Sequence, residues 1–313
     1  MNYEAFCDIL LCIMTIIGAR KISYAFSGVL VGLSVAALFV LGLRLGIDFN
    51  GGSLLEIEYR AERPAHQAML DALAGAEVQN ATVQPTDDRG VLVRMRHVAE
   101  EEHQRVLAAL SALGELSEKR FDSIGPTIGA ELRKKSLIAL LLVLVMIVIY
   151  ISWAFRQVSR PMSSWKYGVA AVIALVHDVF IPLGVFAFLG HYYGVEVDTL
   201  FVTAILTVLG FSVHDTIVVF DRIRENLRKY GKEDFESVVD KSVHQTLGRS
   251  INTSLTVLAV MAVLYFFGGV STKFFSLAIL IGVFFGTYSS IFIASAFLVT
   301  WHNYASRQAA ARI

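Results

Sequence analysis

Six long apolar runs decide what this chain can fold into. A helix needs about 20 apolar residues to cross the hydrocarbon core of a bilayer. Runs of that order lie at 24–43, 137–155, 167–190, 200–220, 251–267 and 274–301. Lipid offers the backbone no hydrogen-bond partners, so such runs are read as helices. Apolar residues make up 55% of the chain and charged ones only 17%, too few to coat a soluble protein of 313 residues. The formal net charge of zero gives no bulk attraction to nucleic acid. Cys7 and Cys12 share the first apolar stretch at no metal-ligand spacing, and one pair cannot build a disulfide framework. They are read as small apolar residues. The stretch 6–19 is shorter than a span, and acidic Glu4 and Asp8 stand where a signal peptide would be basic. It reads as an interfacial helix or an N-terminal extension, with a seventh span as the alternative.

Basic residues flanking the spans set the orientation. Arg20 and Lys21 precede the first span. Arg156, Arg160 and Lys166 lie between the second and third. Arg222, Arg224, Arg228, Lys229, Lys232 and Lys241 lie between the fourth and fifth, and Arg307 and Arg312 follow the sixth. The opposite loops, 191–199 and 268–273, hold only Lys273. Both termini are therefore expected on the cytoplasmic side. Arg133, Lys134 and Lys135 run against the trend, but they end a large translocated segment where the charge rule is weak.

That segment, 44–135, is the expected extracytoplasmic domain, after an N-terminal segment 1–23 and a first span 24–43. The remainder, 136–313, holds spans two to six. Within the domain Leu54, Ile57 and Tyr59 mark a strand, and 65–74 reads as a helix opened by Pro64. Strands are expected at 78–84 and 91–98 around the turn 87–90, an amphipathic helix at 100–113 and a last strand at 116–124. The order βαββαβ is that of a ferredoxin-like split unit, and nothing in it has the look of a catalytic or metal site. The fold class expected is thus a membrane α-helical bundle of six spans with one α+β ferredoxin-like domain. In the loop 222–248, Phe235, Val238, Val239, Val243 and Leu247 recur at helical spacing. They suggest an amphipathic helix lying on the membrane surface and leading into the fifth span.

Polar residues inside the spans carry the functional signal, because a charge at the centre of a membrane helix costs about 2.5–3.5 kcal/mol even on the mildest scale. The third span holds His177 and Asp178, five residues before Pro182. The fourth holds His214 and Asp215, with Ser212 one turn earlier. In the fifth, Arg249, Asn252, Thr253 and Thr256 share one face. Asp215 and Arg249 both fall in the cytoplasmic half and could approach each other. An acid and a base there, rimmed by hydroxyls and an amide, make a candidate proton site. Pairing that merely holds helices together is the plainer reading of the same charges. Thr287, Ser289, Ser290 and Ser295 of the sixth span, with Gly282 and Gly286, read as helix-packing residues.

These residues resemble a known family. Gly46-Ile47-Asp48-Phe49-Asn50-Gly51-Gly52 is similar to the G-x-D-F-x-G-G signature of the SecD/SecF family of export proteins. Ile124-Gly125-Pro126, with Gly129 and Glu131, resembles that family's approach to its second span, and His177-Asp178 is a family feature. The runs Gly210 to Asn226 and Gln245 to Ser254 are similar to its two strongest motifs and favour the SecF branch. The resemblance covers about 20–301. One departure is His214, where the family often has asparagine. It implies membership of the resistance–nodulation–division superfamily and a place in the bacterial inner membrane as a multi-pass subunit. It further implies pairing with SecD, association with the SecYEG channel and YajC, with YidC as a further candidate, and use of the proton motive force to help preproteins out after SecA has driven them in. In that family the positions matching Asp215 and Arg249 belong to the proton pathway, and a further carboxylate comes from SecD. His177, Asp178, His214, Asn252 and Thr253 are candidate supporting groups. No cofactor, metal or enzymatic activity is implied.

The glycine-rich stretch has a physical reading of its own. Phosphate loops need a following Lys-Ser/Thr and a helix that begins at the glycines; the first is missing, and no helix is expected there. Gly46, Asp48, Phe49, Gly51 and Gly52 therefore read as a structural joint between the first span and the domain. Two rival functions remain open. A small-molecule or lipid exporter of the same superfamily would usually carry two large domains and about twelve spans. An intramembrane enzyme would need a Gly-x-Ser-x-Gly or His-Glu-x-x-His motif, and neither occurs.

Overall fold

The computed structural model describes residues 15–86, 88–155, 162–230 and 233–310. Most of the expected N-terminal helix, both cysteines, Arg156, Arg160, Lys232 and Arg312 lie outside them. The chain divides into two compact units. One, the helical unit, comprises the chain up to Leu43, Leu140–Val195 and Leu200 onward. The other, the domain unit, comprises Arg44–Ala139 together with Glu196–Thr199.

In the domain unit, the one-turn helix α2 (Ile47–Asn50) leads into β1 (Gly52–Tyr59), α3 (His66–Gly75), β2 (Thr82–Pro85), β3 (Gly90–Met95), α4 (Glu100–Ser111) and β4 (Leu116–Ile124). The sheet is antiparallel in the order β2-β3-β1-β4. That order, with the sequence βαββαβ, is the ferredoxin-like split fold. Alternate residues of β1, Leu55, Ile57 and Tyr59, are buried with Val91 and Val93 of β3. Met69 and Leu73 of α3 and Val106 and Leu110 of α4 close the core over them. The strand expected at 78–84 forms only from Thr82, because Glu77 and Asn80 take positive φ (66° and 58°) and break the extended run.

A helix does begin in the glycine-rich stretch, contrary to the sequence reading: α2 starts after extended Gly46, with Asp48 in its single turn. Gly46 stands before the turn, and Gly51 and Gly52 follow its end. Gly51 (φ 74°) reverses the chain into β1, and a Cβ on it would lie 2.7 Å from Pro126 Cα. A Cβ on Gly129 would lie 2.8 Å from the Gly51 nitrogen. The motif thus interlocks with the first turn of the next long helix.

Among the described residues six helices are long and apolar enough to cross a membrane: Arg20–Val40, Pro126–Ala154, Ser164–Tyr193, Thr199–Lys229, Phe235–Phe267 and Thr272–Gln308. We label α1 (Arg20–Val40), α5 (Pro126–Ala154), α6 (Ser164–Tyr193), α7 (Thr199–Lys229) and α8 (Phe235–Phe267). The last span is α9 (Val270–Ser289), a π-helical turn (Ser290–Ala294) and α10 (Ser295–Ala310) in continuous succession. The spans pack through small residues, the usual device where lipid supplies no hydrophobic drive between helices. A Cβ on Gly184 of α6 would lie 2.4 Å from Ser34 Cα of α1. One on Gly282 of α9 would fall 2.3 Å from a Val208 methyl of α7, and one on Gly286 3.1 Å from Ser212 Cβ. Phe155, Tyr167 and Phe220 form a buried ring cluster with centroids 5.4–6.1 Å apart, which fixes α6 against α7.

The surface helix expected around 222–248 is instead the continuation of two spans. Phe235, Val238, Val239, Val243 and Leu247 are buried by protein. Phe235 packs on His302 of α10, Glu236 pairs with Arg20 and accepts from Asn303 Nδ2 at 3.2 Å, and Asp240 accepts from the Ile17 N–H at 3.0 Å. Asn226 of α7 donates to Ser242 and Gln245 of α8, both at 2.8 Å. The periodicity was a true sign of a buried helical face, but protein rather than lipid covers it.

Candidate functional site

Two carboxylates are buried among the spans. Asp178 of α6 is wholly inaccessible. Its Oδ1 lies 2.9 Å from His177 Nδ1, and its Oδ2 accepts from Ser212 Oγ of α7 at 2.5 Å and from Ser289 Oγ of α9 at 2.8 Å. Pro182, four residues on, has no N–H to give the Asp178 carbonyl, so the helical ladder is opened at this residue. His177 is buried too, with Tyr288 and Phe285 about its ring, and its Nε2 has no partner among the described residues.

Asp215 of α7 is the second carboxylate. Its Oδ1 accepts from Ser250 Oγ of α8 at 2.5 Å, and its Oδ2 is buried with no hydrogen-bond partner among the described residues. Thr216, next in sequence, shares a 2.8 Å hydrogen bond with Ser290, whose hydroxyl also lies 3.3 Å from the Ser212 carbonyl. Ser254 of α8 and Thr287 of α9 are hydrogen-bonded to each other. A band of hydroxyls thus runs from Asp178 to Asp215 along α7, α8 and the π turn. Turns of that kind open the backbone ladder and recur at functional sites; here Ser295 Oγ returns to the Ser290 carbonyl five residues earlier, at 3.1 Å.

The structure brings His177 and Asp178 together and leaves others apart. Arg249, Asn252, Thr253 and His214 are all exposed at the outside of the helical unit. No ion pair joins Arg249 to Asp215 among the described residues. The inward face of α8 is Thr246, Ser250 and Ser254, each four residues after the last and all buried. That is one residue out of step with the polar face read from the sequence. Ser289 and Ser290, read as packing residues, instead bind Asp178 and Thr216. Hydroxyls are common in membrane helices, and nothing in their spacing marks these as carboxylate partners. Among the described residues no group of three or more His, Cys, Asp or Glu side chains could hold a metal ion. In the domain unit, Asp48 of the glycine-rich motif accepts from the N–H and hydroxyl of Thr199 at 2.8 and 2.5 Å, and Phe49 is buried.

Six spanning helices, an inserted ferredoxin-like domain and carboxylates buried between spans define a multi-pass membrane protein with a polar, ionisable interior. The chain belongs to the SecD/SecF family of protein-export membrane proteins. Residues 105–304 match "Protein export membrane protein SecD/SecF, C-terminal", and residues 36–62 match the SecD/SecF GG motif. The chain is 48% identical to the protein translocase subunit SecF of Thermobaculum terrenum, over 85% of this chain and 87% of that one. It is 40% identical to the SecF subunit of Anaerolinea thermophila, over 93% and 94%. Among solved structures it is similar to SecDF of Thermus thermophilus, a translocon-associated membrane protein, at 32% identity and a TM-score of 0.81 over 92% of this chain. It spans about two-fifths of that longer SecDF chain, 38%.

Proposed function

We propose that this chain is one half of a proton-driven export motor. In this reading it sits in the bacterial inner membrane with both termini cytoplasmic and pairs with SecD. It works beside the SecYEG channel, YajC and YidC to draw preproteins out after SecA has driven them in. The observation that carries the reading is the Asp215 carboxylate: enclosed by spans, held at one oxygen by Ser250, with its other oxygen buried and given no hydrogen-bond partner among the described residues. A carboxylate in that setting can exist protonated or, with a counter-charge, ionised. In this reading Arg249, adjacent to Ser250 and exposed on α8, supplies that charge once SecD covers this face, and the His177–Asp178 pair supports it from the neighbouring span. Each proton moved down about 100 mV yields roughly 2.3 kcal/mol, enough to bias a conformational step. The test is gradient-stimulated preprotein release from vesicles holding this chain, SecD and the channel. Asp215→Asn should assemble normally and lose the stimulation; full stimulation with normal SecD association would overturn the proton role.

A further inference from the structure

The loop between α6 and α7 takes no part in the carboxylate site, yet three kinds of contact bind it into the inserted domain. Its residues Glu196–Thr199 cluster with Arg44–Ala139 rather than with the spans before and after them. The first contact is backbone: Gly46 N–H donates to the Val197 carbonyl at 2.9 Å, and Val197 N–H donates to the Arg44 carbonyl at 2.8 Å. It is close enough that a Cβ on Gly46 would lie 3.3 Å from the Val197 oxygen. The second is the Asp48 carboxylate, which takes both the N–H and the hydroxyl of Thr199. The third is an ion pair from β3 to the loop, Arg94 Nε to Glu196 Oε2 at 3.0 Å, with both side chains less than a fifth exposed. Gln84 of β2 accepts from the same guanidinium at 2.7 Å and steadies it.

Thr199 is the first residue of α7. Asp48 therefore caps that helix from another segment of the chain, at the end where the helix dipole favours an anion. Asp215 lies 16 residues further along the same helix, about 24 Å at 1.5 Å per residue. The chain enters and leaves the domain by α1 and α5. The first residue of the helix that carries Asp215, and the loop before it, belong to the domain unit and are bound there through side chains and a backbone bridge.

Resting on the proton reading above, we infer that Asp48, Arg94, Glu196 and Thr199 form a latch that couples movement of the inserted domain to α7 and so to Asp215. They are positioning residues. None of them is a proposed proton-site residue, and they convert a change at one end of α7 into a displacement at the other. Loss of the latch should uncouple the motor rather than block its proton step.

The experiment measures two quantities in the same vesicles, reconstituted with SecD and the channel: proton uptake under an imposed gradient, and preprotein release. Thr199→Val and Arg94→Glu should keep proton uptake within about twofold while gradient-stimulated release falls at least about fivefold. Thr199→Ser, which retains the hydroxyl, and the reversed pair Arg94→Glu with Glu196→Arg should recover release. Release unchanged in Thr199→Val and Arg94→Glu would overturn the latch. So would parallel loss of both readouts, or failure of the reversed pair and Thr199→Ser to recover. Asp215→Asn run alongside separates the two readings: if it retains proton uptake the proton role fails, whereas the latch is judged on release in its own variants.

Discussion

Ser250 Oγ donates to Asp215 Oδ1 at 2.5 Å, while Arg249, one residue earlier on α8, is exposed and makes no ion pair with that carboxylate. Successive residues on a helix point about 100° apart, so one of the two faces the bundle and the other faces out. The serine is the partner supplied by this chain, and the arginine is left for whatever covers α8. A hydrogen bond to a charged group contributes about 1.5–3 kcal/mol, and 1.4 kcal/mol is a factor of ten. If Asp215 exchanges the proton as proposed, Ser250→Ala is expected to slow gradient-driven proton uptake by roughly tenfold or more, and Ser250→Thr to retain most of it. Arg249→Met should leave the melting of the isolated chain within about 0.5 kcal/mol and show its defect only when SecD is present. A defect already present in the lone chain would place Arg249 inside the bundle.

The glycine-rich motif makes a sharper stability prediction. Gly51 combines positive φ with a Pro126 Cα that would lie 2.7 Å from any added Cβ. Gly51→Ala should cost about 2–3 kcal/mol, since strain and overpacking act together. Gly75, the last residue of α3, has nothing within 4 Å of the corresponding position. Gly75→Ala should be neutral or gain up to about 1 kcal/mol. Thermal unfolding followed by near-ultraviolet circular dichroism would rank the two, and equal effects would show that the joint is not tightly packed.

Much of this architecture was legible in the sequence because length and period are strong signals. A run of some twenty apolar residues has one outcome in lipid, and Ile57 and Tyr59 mark the buried face of β1; Leu54, read with them, is only half-buried, and its neighbour Leu55 takes the core position. What was hidden depends on contacts between distant segments. The apolar positions from Phe235 to Leu247 look the same whether lipid or protein covers them; only Arg20, His302 and Asn303, far away in sequence, settle it. Arg249 drew notice because it is charged, while Ser250, the residue that reaches Asp215, is unremarkable in a membrane helix. The π turn at Ser290–Ala294 has no sequence mark beyond a cluster of small hydroxyls.

Glu196 gives the domain unit a pH dependence. Burial pushes its carboxyl above the ordinary carboxylate range, helped by Asp198 and opposed by the Arg94 and Arg44 charges. The folded chain then holds this proton more tightly than the unfolded chain does. Between about 4.3, the ordinary value for glutamate, and the raised folded value, the native state binds more protons. Its stability falls as pH rises through that window. Glu196→Gln cannot titrate. Relative to that variant, the wild type should lose stability from pH 4 upward, with the difference levelling off once Glu196 is ionised in both states. Thermal unfolding of the two proteins between pH 4 and 8 would test it; parallel curves would mean that Glu196 titrates normally.

Asp178 decides whether the second buried carboxylate carries protons or only holds helices. Its partners come from three spans: His177 beside it on α6, Ser212 on α7 and Ser289 on α9. Removing it with Asp178→Ala strands those groups in a sealed space, which should cost about 3 kcal/mol or more. Loss of activity in that variant would therefore say little. Asp178→Asn is the informative change. The carboxamide keeps the shape and one acceptor, and the hydroxyls of Ser212 and Ser289 can rotate to accept from its NH2 group. The bundle should survive at a cost of about 1–2 kcal/mol, with SecD association intact. If the His177–Asp178 pair exchanges protons with Asp215 through the intervening hydroxyls, Asp178→Asn should lower gradient-driven proton uptake by tenfold or more in this intact assembly. Uptake within twofold of wild type, with the melting temperature only slightly lowered, would assign Asp178 to helix packing and leave Asp215 as the proton-exchanging carboxylate of this chain.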